Sequence, residues 1–310
     1  MNEPSALKPG QPVGEVLRGI AVAILARAQA VLDDSGRDAT KTVHEIRRVM
    51  KRWRALLRMM TLLVGDEART LRHQARDLAR KLSVARDAQA AIDAFRDAVE
   101  KDSGDDDGAV SDEGLPVLSA RSQATVHARL EGLRTQGERS IWNEERREEL
   151  LDYIVHARAQ VDGWALEKID FADVADALTV TYRRARAAIP DKWDEIGDEK
   201  LHELRRRVVE HRYQMELIEP VWPRLGRIWV EEAQRLRSRL GKFQDLVVLV
   251  EKTGPHQPLA PWRSRLGPLI ARRKRDHTNA ARKVAARLFA EPPKAFRRRV
   301  EALWEAQDEA

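Results

Sequence analysis

Apolar residues recur at three- and four-residue steps along most of the chain, the spacing of amphipathic helices. The pattern predicts helices over residues 15–32, 40–64, 66–101, 115–134, 142–167, 171–189, 196–219, 224–252, 262–290 and 293–306. Thr40 or Thr42 is the expected cap of the second helix. Pro190, Pro220, Pro223, Pro255, Pro258, Pro261, Pro292 and Pro293 fall between these patterns, where helices start or stop. No run of alternating positions predicts a strand. Two stretches carry no pattern. Residues 1–14 read as a flexible Pro/Gly-rich leader, and residues 102–114, DSGDDDGAVSDEG, as a mobile acidic loop. The acidic loop reads either as an ordinary surface loop or as a partner site that competes for basic surface.

The helical pattern repeats. Residues 44–54 read HEIRRVMKRWR and residues 202–212 read HELRRRVVEHR, an offset of 158 residues. Without a gap, the same offset pairs Arg69 with Arg227, Ala75 with Ala233, Leu78 with Leu236, Leu82 with Leu240 and Asp87 with Asp245. Register kept through a second helix points to a duplicated module. The fold class expected is therefore all-α: two pseudo-symmetric four-helix bundles from an internal duplication, over residues 15–165 and 171–306.

The repeated helix is unusual in how its charges lie. At 100° per residue, His44, Arg47, Lys51, Arg54 and Arg58 fall within about 80° of one another. Ile46, Val49, Met50, Trp53, Leu56, Leu57 and Met60 fill the opposite face, and Arg48 and Arg52 flank the cationic stripe. In the second copy His202, Arg205, Arg206 and Arg212 recreate it, but Val209 and Glu210 replace the Lys51 and Arg52 positions. A solvated face is the bland explanation of a charge run. Such faces usually mix signs, however, whereas like charges at these spacings repel by about 0.2–0.5 kcal/mol per pair. An anion that neutralises the stripe explains its duplication and its arginine content better.

Composition adds less. The 310 residues hold 56 Lys+Arg and 50 Asp+Glu, a net charge of +6, so the cations matter only if segregated. The absence of Cys excludes disulfides, thiolate catalysis and Cys-ligated metals. No segment has the length and apolarity of a membrane span, and a cytoplasmic protein is expected. Arg183 and Arg186 lie just before the second charged helix. Arg272 and Arg273 open a basic run in which residues 265–283 hold seven Lys/Arg against the single acid Asp276. Both segments are candidate extensions of the basic surface.

These residues resemble the CHAD domain, the conserved histidine α-helical domain. The resemblance rests on H-x-x-R-x-x-x-K-R-x-R from His44 to Arg54 and H-x-x-R-x(6)-R-Y from His202 to Tyr213. It also rests on Leu82–Asp87 and Leu240–Asp245, each ending a Leu-rich helix, and on Tyr182-Arg183-Arg184. It implies a pair of four-helix bundles whose basic surface binds inorganic polyphosphate and is associated with polyphosphate granules. Carried over, the contacts are His44, Arg47, Lys51, Arg52, Arg54, His202, Arg205 and Arg212, with Arg183 and Arg186 weaker. Arg48, Arg206, Arg272 and Arg273 join them as basic candidates from the residues themselves. There is no E-x-E-x-K motif of the barrel that precedes many relatives, so a stand-alone binding protein without catalysis, metal or cofactor is expected.

Two other readings stay open. Nucleic acid or another polyanion would suit the same stripes, although no helix-turn-helix signature is present and the tryptophans sit at core positions. A metal-dependent phosphate-processing enzyme would need a site, and the neighbours of His44 and His202 are cations, a poor field for a metal. Asp87 and Asp245 read as partners of nearby arginines, as do Glu45 and Glu203. If His44 and His202 gain charge beside the anion, binding should strengthen between pH 8 and 6.

Overall fold

The computed structural model describes residues 6–8, 10–34, 36–82, 84–99, 118–138 and 142–308, and the statements below concern these residues. The predicted acidic loop lies outside them. The described residues form eleven α-helices and no strand. In chain order they are α1 (Val13–Asp33), α2 (Ala39–Leu63), α3 (Asp66–Lys81), α4 (Val84–Val99), α5 (Ala120–Glu138) and α6 (Glu144–Asp162). Then follow α7 (Phe171–Ala187), α8 (Asp198–Ile218), α9 (Pro223–Lys252), α10 (Arg263–Leu288) and α11 (Pro293–Asp308). None is long and apolar enough to cross a membrane.

Local chemistry sets the helix ends. Asp38, not Thr40 or Thr42, caps α2: its carboxylate accepts from the N–H groups of Thr40 and Lys41 at 3.0 and 3.2 Å. Asp170 and Asp173 form a reciprocal capping box on α7. Pro223 opens α9, where its missing N–H costs nothing. The leader departs from expectation. Leu7 is fully buried and its N–H donates to the Leu217 carbonyl at 2.7 Å. Gly14 is already helical, and a Cβ there would stand 2.0 Å from the Leu166 carbonyl oxygen.

The pattern over 66–101 becomes two helices, because α3 ends at Lys81. Its last carbonyls find donors elsewhere: Arg47 Nη1 donates to Leu82 O, and Arg146 Nη1 to Lys81 O at 2.7 Å. The counterpart, α9, runs unbroken for 30 residues. There the Arg205 guanidinium lies against the helix at Gly241, 3.6 Å from where a Cβ would be.

Packing repeats with the sequence. α1 packs on α2 and α6, as α7 does on α8 and α11; α3 packs on α2, and α9 on α8. α2 pairs with α8, and α4 with α9, across the two halves. The packed units, however, do not coincide with residues 15–165 and 171–306. One core joins α4 and α5 to α9 and α10, through Ile92, Phe95, Val126, Leu130, Leu246, Leu249, Leu266 and Ile270. The larger core takes α1, α2, α3, α6, α7, α8 and α11, with parts of α9 and α10. Each unit therefore takes helices from both halves, since the apolar faces of α4 and α5 are covered by α9 and α10.

Candidate functional site

α2 and α8 cross antiparallel near Ala55. Gln214 Nε2 donates to the Ala55 carbonyl at 3.2 Å, Arg58 pairs with Glu210 at 3.6 Å, and Arg52 faces Glu216. The apolar faces of both helices go into the core, with Trp53 fully buried and its Nε1 donating to Tyr153 Oη at 2.7 Å. That leaves the cationic flanks of the pair at the surface, divided by the crossing.

On one side lies a cleft of about 890 Å³. From α2 it receives His44, Arg47, Arg48, Lys51 and Arg52; α8 adds Arg212, Tyr213 and Glu216, and α9 adds Arg237 and Asp245. Arg27 from α1 and Asp93 from α4 complete its charged lining. Glu45 braces the rim, accepting from Arg48 at 2.6 Å and Arg27 at 3.1 Å. The hydrogen bond from Arg48 holds the Glu45 carboxyl below its ordinary range, against the opposing effect of burial. Arg212 is held from two directions: it donates to Glu216 at 2.5 Å and lies over the Tyr213 ring at 4.8 Å.

On the other side of the crossing, arginines gather around Glu210. Arg58 and Arg207 pair with it at 3.6 and 3.3 Å, and Arg54 and Arg72 feel its charge. Burial lowers the Arg54, Arg72 and Arg184 guanidinium pKa values, and neighbouring arginines lower them further. Arg206 is exposed and pairs with Glu203.

The candidate residues therefore divide. His44, Arg47, Arg48, Lys51, Arg52 and Arg212 meet in the cleft; Arg54 and Arg206 belong to the opposite cluster. Arg47 also closes the end of α3, and Arg205 lies against Gly241, outside the cleft lining. His202 is half-buried, with Nδ1 3.1 Å from Gln244 Oε1, and it does not line the cleft. Arg183 and Arg186 are exposed, and Arg186 Nε donates to the Phe289 carbonyl at 3.0 Å, closing α10.

Arg272 and Arg273 require correction as surface candidates, because both are buried. Arg273 Nε donates to the Asp97 carbonyl at 2.7 Å and binds α10 to α4. Beside it, the Asp97 carboxylate accepts from His277 at 2.7 Å and from Lys242 at 2.9 Å. Burial pushes that carboxyl up, but His277 and Lys242 hold it well below its ordinary range. Two cleft cations were not among the candidates. Arg237 carries a weak signal, as one of several bases on its helix; Arg27 shares a largely apolar helix with Arg18 alone, nine residues away, and carries none. Among the described residues no group of three or more His, Asp or Glu is placed to hold a metal ion.

The fold and the cleft define an all-α protein with a concentrated cationic groove on its central helix pair. Residues 15–253 match the family model of the CHAD domain, and the chain belongs to that family. Among solved structures it is similar to PptA from Streptomyces chartreusis, at 18% identity and a TM-score of 0.62, covering 91% of this chain and 100% of that one. It is likewise similar to the CHAD domain from the plant Ricinus communis, at 17% identity and a TM-score of 0.58, covering 90% and 93%. At these identities the likeness shows the fold. No curated protein sequence matches the chain.

Proposed function

We propose that the protein binds inorganic polyphosphate in the α2 cleft, that it does so without catalysis, and that this binding targets it to polyphosphate granules. One observation carries the reading. Arg27, Arg47, Arg48, Lys51, Arg52, Arg212, Arg237 and His44 line one cleft in which the charged counterweights are Asp93, Glu216 and Asp245. Such a groove suits a flexible anion that offers oxygens all along its length, and arginine forks suit those oxygens. Membership of the CHAD family supports the same reading.

Affinity should come largely from released counterions, as it does for nucleic acids. With up to seven fixed cations engaged, log affinity is expected to fall against log salt with a slope of about −3 to −5. A titration of the protein with polyphosphate at several salt concentrations reads this directly, and binding that ignores salt would exclude the model. A competition experiment addresses the nucleic-acid reading. Polyphosphate should displace labelled DNA at a lower phosphate concentration than DNA needs to displace polyphosphate; the reverse order would favour nucleic acid.

A further inference from the structure

α8 supplies the cleft with an anion of its own. Glu216 lines the cleft with its side chain 22% exposed, accepting from Arg212 at 2.5 Å and facing Arg52. The arrangement recurs across the helix crossing, where Glu210 faces Arg58. At the 158-residue offset, Arg52 and Arg58 of α2 correspond to Glu210 and Glu216 of α8. Each flank of the pair thus sets an α2 arginine against an α8 carboxylate, Glu216 on the cleft side and Glu210 on the other.

The groups facing Glu216 come from several elements. Arg212 and Tyr213 lie on its own helix, Glu219 in the turn that follows, and Arg52 and Arg48 on α2. His44, Arg237 and Arg27 share the same cleft. Burial pushes the Glu216 carboxyl above its ordinary range, and Glu219 adds to this, against the pull of Arg212 and Arg52. Its ionised form therefore depends on those two guanidinium groups.

We infer that Glu216 is a resident counter-anion of the cleft: an entering polyanion takes over Arg212 and Arg52, and the released carboxylate takes up one proton from the solvent. This rests on the polyanion reading above. A half-buried carboxylate that has lost its arginines and gained a phosphate neighbour is disfavoured twice, by desolvation and by like charge. Protonation relieves both. Because the bound state then holds the proton more tightly than the free state, affinity rises as pH falls through the range between the two Glu216 pKa values.

Isothermal titration calorimetry of the full chain with polyphosphate of defined length, at pH 5.5 in two buffers of different ionisation enthalpy, counts the protons. All proteins compared carry His44→Gln, so that His44 does not contribute. The protein with Glu216 intact should take up protons on binding. Glu216→Gln should abolish most of that uptake and bind roughly threefold to tenfold tighter at pH 7.5, since one charge-assisted pair no longer has to be broken. Glu167→Gln, at an exposed site outside the cleft lining, should change neither. Equal uptake with and without Glu216 would overturn the inference while leaving the binding reading intact; no binding by the wild-type protein, titrated alongside, would overturn both. Should Glu216→Gln fold poorly, carboxyl NMR of the wild-type protein replaces it. The Glu216 resonance should titrate at higher pH with polyphosphate than without, and an unmoved titration would contradict the inference.

Discussion

α2 and α8 carry matching sequences at an offset of 158 residues, and their differences show what each contributes. Both bury an apolar face, cross near their middles, and place an arginine, Arg47 or Arg205, against the helix that follows. They differ in polarity at the flanks. α2 carries Lys51, Arg52 and Arg58 where α8 carries Val209, Glu210 and Glu216. Two purely cationic helices would meet with every flank charge repelling. The two acids of α8 make the crossing tolerable while leaving a cationic excess on α2. They differ in the core as well: Trp53 of α2 stands where α8 has His211, and both are buried.

The core contrast offers the largest effects. Trp53→Ala removes a fully buried indole and strands the Tyr153 hydroxyl, so denaturant unfolding should show a loss of about 3–5 kcal/mol. A loss below 1 kcal/mol would mean that the two central helices are not packed as described. His211 should show its effect in pH. It sits among Tyr182, Phe289 and Phe296, and burial lowers its pKa to about 3. The folded chain keeps it neutral while the unfolded chain protonates it near 6.5. Stability is therefore retained above that value and lost as pH falls from about 6.5 toward 3. Between pH 7 and 5 this single group should cost about 2 kcal/mol. His211→Phe should flatten that part of the pH–stability curve, and an unchanged slope would show that His211 is already charged in the fold.

The flank contrast is smaller. Glu210→Gln leaves Arg58 and Arg207 without their shared carboxylate and should cost about 1–2 kcal/mol of stability, measured by denaturant unfolding, with little effect on affinity in the cleft. The smallest expected effect is that of Arg206→Ala. Its exposed pair with Glu203 is worth well under 1 kcal/mol, and a larger loss would mean that the pair is not solvated as described.

Much of this was legible before any packing was known. Helix periodicity survives in a chain whose elements are long, and the 158-residue offset carries α1 onto α7, α2 onto α8 and α3 onto the first half of α9, helices whose packing partners also correspond. Four features were hidden because their causes lie far away in sequence. The break between α3 and α4 depends on Arg47 and Arg146 reaching its carbonyls. Arg272 and Arg273 read as surface until packing buries both, Arg273 against the Asp97 carbonyl of α4. The stripe from His44 to Arg58 reads as one track, but α8 crosses it near Ala55 and sends Arg54 and Arg58 to the other side. The leader reads as loose until Leu7 finds the core.

The central claim is that the cleft flank of α2, rather than basic character in general, holds the polyanion. Polyphosphate affinity of Lys51→Ala/Arg52→Ala should therefore be compared at one salt concentration with that of Arg183→Ala/Arg206→Ala, which removes the same charge outside the cleft lining. The first pair should weaken binding by about tenfold to a hundredfold, roughly 1.4–2.7 kcal/mol, and the second by less than about threefold. Equal losses in two folded proteins would contradict the cleft and leave only a diffuse basic surface.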